Sequence, residues 1–276
     1  MKSLNKLQIT LIVLSVFLFV LLYFAKKTPD LSEKQTKSSS NSSVESSSFD
    51  GVLKNYINSL NEVEKSNLNK LIKNFEIDKI KNTDTLVQFL GQRKQPALAA
   101  YFTELKANLT KNVNDYEVAG DRYYYSVRFL SNPEEAQLAY NCAIRCFNKS
   151  LSVLPNNTAV KIKLASCMVE GTSDPMKGIT LLREIEKTDS NNVDLQLAFA
   201  AFSSKSGQMD KAIIRFEKVL KLKPDYLEAY LYLADAYEKK GDKQKAIIAL
   251  ESYSSLIEDE GVKKEIKKYI NQLKVN

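Results

Sequence analysis

The side chains that most often do chemistry in proteins are scarce in this sequence and poorly spaced for it. The 276 residues include no His, so no Ser–His or Cys–His dyad can form and no metal can be held through imidazole. Three Cys are present, Cys142, Cys146 and Cys167. The first two lie one helical turn apart in an apolar stretch, and the third sits between Ser166 and Met168. Such settings suit small buried side chains better than a reactive thiol, and an odd, low number implies no disulfide framework. The paired carboxylates Glu134-Glu135 and Asp259-Glu260 stand where helices start or turn, and capping accounts for them there. Glu104, Asp121 and Asp235 have no partner at a spacing that argues for acid–base work. There is no Gly-rich phosphate loop, no Gly-x-Ser-x-Gly elbow and no Cys-x-x-Cys pair. The sequence therefore predicts no enzyme, no metal site and no cofactor.

Repetition replaces catalytic spacing as the main signal. Gly207-Gln208-Met209-Asp210-Lys211-Ala212-Ile213-Ile214 returns 34 residues later as Gly241-Asp242-Lys243-Gln244-Lys245-Ala246-Ile247-Ile248. Phe216 meets Leu250 at the same offset, and Ala200 meets Ala234. Tyr230, Leu233, Ala234, Tyr237, Gly241, Ala246 and Leu250 fall on the large, Leu, small, Tyr, Gly, Ala and aromatic positions of the tetratricopeptide repeat, and Pro224 on its Pro. The chain resembles bacterial membrane-anchored tetratricopeptide proteins. The likeness is good over 158–259, partial over 83–157 and absent before that.

That resemblance implies an all-α solenoid of helical hairpins, each burying its apolar face on its neighbours, with a groove lined by first helices. Carried over in register, the groove includes Ile162, Lys163, Ser166 and Val169, then Asp194, Leu197, Ala198 and Ala201. The last repeat adds Glu228, Leu231, Tyr232, Asp235 and Lys239. Chaperone-binding members of the family clamp a terminal carboxylate with Lys and Asn, but Ala198, Ala201, Tyr232 and Asp235 stand in their place. The implied ligand is an amphipathic helix or apolar segment of a protein partner. Alternatively, the chain's own carboxyl-terminal helix covers these residues.

The rest of the chain is organised around that stack. Residues 9–25 form an uncharged apolar run after a leader carrying Lys2 and Lys6, and Lys26-Lys27 follow directly. They read as an uncleaved single-pass signal anchor spanning 1–27, with a cleaved secretory signal as the alternative. The leader and single anchor favour a body outside the cytoplasmic membrane, although the Lys balance of Lys2 and Lys6 against Lys26, Lys27, Lys34 and Lys37 leans the other way. Residues 28–49 are a Ser-rich linker with too little apolar surface to order itself. Helical spacing starts in 50–130, with Asp50 as a cap and Leu53, Ile57, Leu60, Val63, Leu68, Leu71, Ile72 and Phe75 on one face. Thr83-Asp84 caps the first helix of a degenerate hairpin, and residues 116–130 make an aromatic-rich helix. The repeats occupy 131–259, where Gly178 replaces the usual Ala and permits a closer helix approach. Residues 260–276 form an amphipathic cap whose outer face is Lys263, Lys264, Lys267, Lys268 and Lys274.

The function this predicts is a membrane-tethered scaffold that recruits a protein to an envelope complex. Two alternatives belong to other classes. One is a structural subunit that self-associates through residues 53–75. The other is a helical repeat that binds nucleic acid through its Lys-rich last helix; a net charge of +7 spread among acidic residues does not single out such a surface.

Overall fold

Short polar breaks divide the chain into helices, and their sequence decides how each break is made. The computed structural model describes residues 48–275. The expected anchor and residues 28–47 of the expected linker lie outside the described residues. The helices are α1 (Phe49–Ser59), α2 (Glu62–Ile77), α3 (Thr83–Gln92), α4 (Pro96–Thr110), α5 (Val113–Ser126), α6 (Pro133–Val153) and α7 (Thr158–Gly171). They continue as α8 (Pro175–Thr188), α9 (Val193–Lys205), α10 (Met209–Leu222), α11 (Leu227–Lys239), α12 (Lys243–Leu256) and α13 (Glu260–Val275). A 3-10 turn, Val127–Phe129, follows α5, and no strand occurs among the described residues.

Asn is the usual cap. Asn61, Asn112, Asn132, Asn157 and Asn192 each accept a backbone N–H of the first turn of α2, α5, α6, α7 and α9, satisfying donors that have no intrahelical partner. Pro opens α4, α6 and α8, where its missing N–H costs nothing. The 34-residue repeat is written into two identical turns. Gly207 and Gly241 adopt φ +75° and +85°. Around them Gln208 N–H bonds Ser203 O and Asp242 N–H bonds Tyr237 O, each at 2.8 Å. These are Schellman closures, which need a left-handed residue at that point, hence Gly.

Hairpins α7/α8, α9/α10 and α11/α12 pack antiparallel and stack in sequence, making a tetratricopeptide-like helical repeat fold. The interior runs along the stack as three successive clusters. One spans α1 to α8, one joins α7, α8 and α9, and one spans α9 to α13. All three Cys are buried in the first, and burial pushes each thiol above its ordinary pKa. Gly178 faces Ala165 and Val169 across the α7/α8 contact, too close for a side chain.

Several boundaries differ from the sequence reading. Phe49, placed in the linker, is buried against Tyr123 with ring centroids 5.0 Å apart. Ser48, not Asp50, caps α1, and Asp50 instead takes the Tyr101 hydroxyl. The helix begun there breaks at Leu60–Asn61. Leu68 and Phe75 are fully buried, while Leu53, Ile57, Leu60, Leu71 and Ile72 pack around the same cluster. That apolar seam, offered as a dimer interface, is largely consumed within the chain; Val63 stays exposed. Thr83 is not a cap: it is buried and returns its hydroxyl to the Lys79 carbonyl. The aromatic helix starts earlier and stops at Ser126, where the 3-10 turn takes over.

At the other end α13 closes the stack. Ile270 is buried, and Ile266 and Leu273 pack beside it on the last cluster. Tyr269 is half-exposed and donates its hydroxyl to Glu238 of α11. Glu104, isolated in sequence, sits buried among α4, α5 and α6. Arg145 grips it at 2.8 and 2.7 Å, and the Tyr123 hydroxyl donates to it at 3.1 Å. A buried carboxylate needs such partners.

Candidate functional site

The first helices α7, α9 and α11 line one side, and the small residues that α7 and α9 place there leave a hollow of about 550 Å³. Ser166, Ala198 and Ala201 keep its floor low; Ser166 spends its hydroxyl on the Ile162 carbonyl, so it contributes smallness rather than a donor. Asn157 and Asn192 fix where α7 and α9 begin, and Tyr226, at the start of α11, turns its ring into the hollow. Phe216 reaches through from α10, itself buried. The Tyr232 ring stacks on it with centroids 5.6 Å apart and planes 28° off parallel. Tyr232 is held on one face and remains 52% exposed, an amphipathic ring presented with little freedom left to lose.

Most charges around the hollow are already paired. Lys163 meets Asp121 at 2.7 Å and Lys239 meets Asp235 at 2.7 Å. Glu170 accepts the Tyr124 and Tyr140 hydroxyls at 3.0 and 3.3 Å and pairs with Lys205 at 3.1 Å. Burial, and then the Glu170 charge, hold Tyr124 well above the usual phenol range, and the same two causes push Tyr140 up to about 12. Tyr226 is also raised, first by burial and then by Glu228, Tyr232 and Asp194. These phenols are therefore neutral donors at ordinary pH. Among the described residues no group of His, Cys, Asp or Glu could hold a metal ion. The arrangement offers a largely apolar surface, a braced aromatic ring and a mostly paired polar rim, which suits binding.

Ten of the thirteen residues expected in the groove line this hollow: Ile162, Lys163, Ser166, Asp194, Leu197, Ala198, Ala201, Tyr232, Asp235 and Lys239. Three do not. Val169 lines a different opening beside α8, Leu231 turns into the last core cluster, and Glu228 is exposed in the first turn of α11. The carboxyl-terminal helix contributes no residue to the lining; it packs on α12 instead.

Sequence reasoning missed Tyr124 and Arg128, which α5 and its 3-10 turn bring to one wall, and Glu170, Lys205, Phe216 and Tyr226. Tyr124 belongs to the aromatic run noted before Ser131, but that run has no repeat register to say which way it faces. Phe216 carried a signal, the match to Leu250, yet it lies on a second helix and its ring emerges beneath the first.

Comparison with known proteins reaches part of the chain. Residues 188–274 match the family described as regulator of microtubule dynamics protein 1-3. A stretch of 92 residues, 32% of the chain, is 33% identical to the chloroplastic tetratricopeptide repeat domain-containing protein PYG7 of Arabidopsis thaliana. The chain spans about a third, 31%, of the length of that relative. Among solved structures, YrrB, described as a TPR protein with an unusual peptide-binding site, is 19% identical, with 72% of this chain and 97% of that one covered and a TM-score of 0.41. MamA from Desulfovibrio magneticus RS-1 is 17% identical over 65% of this chain and 95% of that one, with a TM-score of 0.44. With its own repeat period and stacked hairpins, the chain is a tetratricopeptide-like helical repeat protein.

Proposed function

We propose that the chain is a membrane-tethered scaffold whose hollow over α7, α9 and α11 holds an amphipathic or apolar segment of a partner protein. The observation that carries this reading is the half-exposed Tyr232 ring, braced on Phe216 above a floor of small residues. A braced aromatic at the centre of a shallow apolar surface is the kind of anchor that dominates protein interfaces. The uncharged run 9–25 followed by Lys26-Lys27 supports the tether. On this reading the body lies outside the cytoplasmic membrane and recruits its partner to an envelope complex.

The test is Tyr232→Ala combined with Leu197→Ala in the full chain. The first side chain is half-exposed and the second partly so, so helix content should hold and melting temperature should fall only modestly. Partners cross-linked to the wild-type chain in native membranes and identified should be lost from the double variant. Equal capture by a folded double variant rejects the hollow as the binding site.

A further inference from the structure

Comparing one repeat junction with the next reveals a second opening, on the side of the second helices, that the proposed function leaves unused. Where α10 meets the end of α11, two ties close the surface. Tyr237, 7% exposed, donates its hydroxyl to Glu217 at 2.6 Å, and Lys240 pairs with Asp210. At an offset of 34 residues, the junction of α8 with the end of α9 has Ser203 for Tyr237, Arg183 for Glu217, Ser206 for Lys240 and Met176 for Asp210. Both ties are absent. Ser206 turns its hydroxyl to the Ser203 carbonyl. Arg183 is exposed and makes no ion pair or hydrogen bond among the described residues, while Met176 is 55% exposed.

What remains is a hollow of about 570 Å³ lined by Phe199 and Phe202 of α9 and by Met176, Ile179 and Ile214. Ile214 is 63% exposed at its edge. Its charges are Arg183, Lys211 and Arg215 against Glu186. Arg215 is committed to Glu186 and to Gln196 at 2.8 Å, so the surplus is positive and sits on Arg183 and Lys211.

We propose that this hollow is a docking site for an acidic partner segment that inserts one aromatic side chain flanked by carboxylates. At the later junction the equivalent position carries a buried Tyr beside Glu217, so an aromatic ring is the group that Ser203 leaves out, although Phe199 and Phe202 replace Leu233 and Ala236 next to it. Substituting Arg183 for Glu217 inverts the charge beside that ring, so the occupant must bring the carboxylate with the aromatic group. The helix α9, whose Phe202 lines both hollows, separates this site from the one over Tyr232.

Fluorescence anisotropy of the full chain with a labelled synthetic peptide, one Phe between Glu residues, tests the assignment. Versions with Phe→Ser and with Glu→Lys serve as controls. The acidic Phe peptide should bind, weaken with added salt, and exceed both controls by about ten-fold or more. Arg183→Glu with Ser203→Tyr rebuilds the Tyr–Glu tie of the later junction. This variant should fold at least as stably as the wild type and lose the peptide, whereas Tyr232→Ala should keep it. Arg183→Gln, a change at an exposed position, should weaken binding and lessen its salt dependence, leaving the part that Lys211 carries, should the double variant not fold. Equal binding of all three peptides, no binding of the acidic Phe peptide, or unchanged binding by the rebuilt junction overturns the proposal. So does a wild-type dimer that the rebuilt junction makes monomeric, since a second copy would then be the occupant.

Discussion

Replacing Gly178 by Ala should destabilise the chain, although the change improves helix propensity. A Cβ built at Gly178 would lie 2.4 Å from the Ala165 carbonyl oxygen and 2.7 Å from Val169 Cγ2. The first contact is backbone and cannot rotate away, so α8 must retreat from α7. Overpacking of this kind costs about 1–3 kcal/mol, and removing a helix-interior Gly returns about 1 kcal/mol. With a carbonyl as the obstacle the upper end applies, leaving a net loss of about 2 kcal/mol. At about 2–4 °C per kcal/mol for a domain of this size, the melting temperature should fall by about 4–8 °C. Ala212 and Ala246 occupy the same register position in α10 and α12, fully buried and accommodated. The reciprocal change, Ala212→Gly, should therefore also destabilise, through lost contact and lost propensity. Circular dichroism melts of both variants test the pair, and hydrogen exchange should place the loss for Gly178→Ala in α7 and α8, since a stack can open in sections. Because α7 carries Ile162 and Ser166, partner capture should weaken as well. A Gly178→Ala protein as stable as the wild type would refute the close approach.

Other outcomes follow from the buried polar groups. Glu104→Leu removes the acceptor of the Tyr123 hydroxyl, on a side chain with no exposure, while Arg145 can reach water. Stability should drop by about 1–3 kcal/mol, and Tyr123→Phe in the same background should recover part of it, as read from denaturant midpoints. Burial, followed by the Glu217 hydrogen bond, pushes Tyr237 up to about 12 from an ordinary value of 10.0. The fold favours the neutral phenol, so this contribution is complete below pH 10 and disappears as pH rises through about 12. Tyr140, raised to about 12 by burial and by Glu170, adds in the same sense. Melting temperature should fall across that window, and Tyr237→Phe should flatten the decline.

The repeat architecture was legible in the sequence because its causes are local. A Schellman turn needs Gly207 and Gly241, a tight hairpin needs Ala212 and Ala246, and those needs recur every 34 residues. Pro133 and Asn132 marked a helix start for the same reason: a cap is satisfied within one turn of itself. Even so, Asp50 and Thr83 resembled caps, and competition from Ser48 and from burial was invisible without neighbours.

Only the tertiary structure decided the contacts between segments with no shared period. Arg145 finds Glu104 across 41 residues and Tyr124 finds Glu170 across 46; any Arg or Tyr at a suitable helical phase would have read alike. The hollow over Tyr232 was traceable from register, yet its wall from α5 and its support by Phe216 came from how helices settle against each other. The second opening required both levels. Ser203 and Arg183 are unremarkable in a sequence, and they acquire meaning only beside Tyr237 and Glu217, whose contact shows what a closed junction looks like. Pattern determines which units stack; packing determines where the stack is left open.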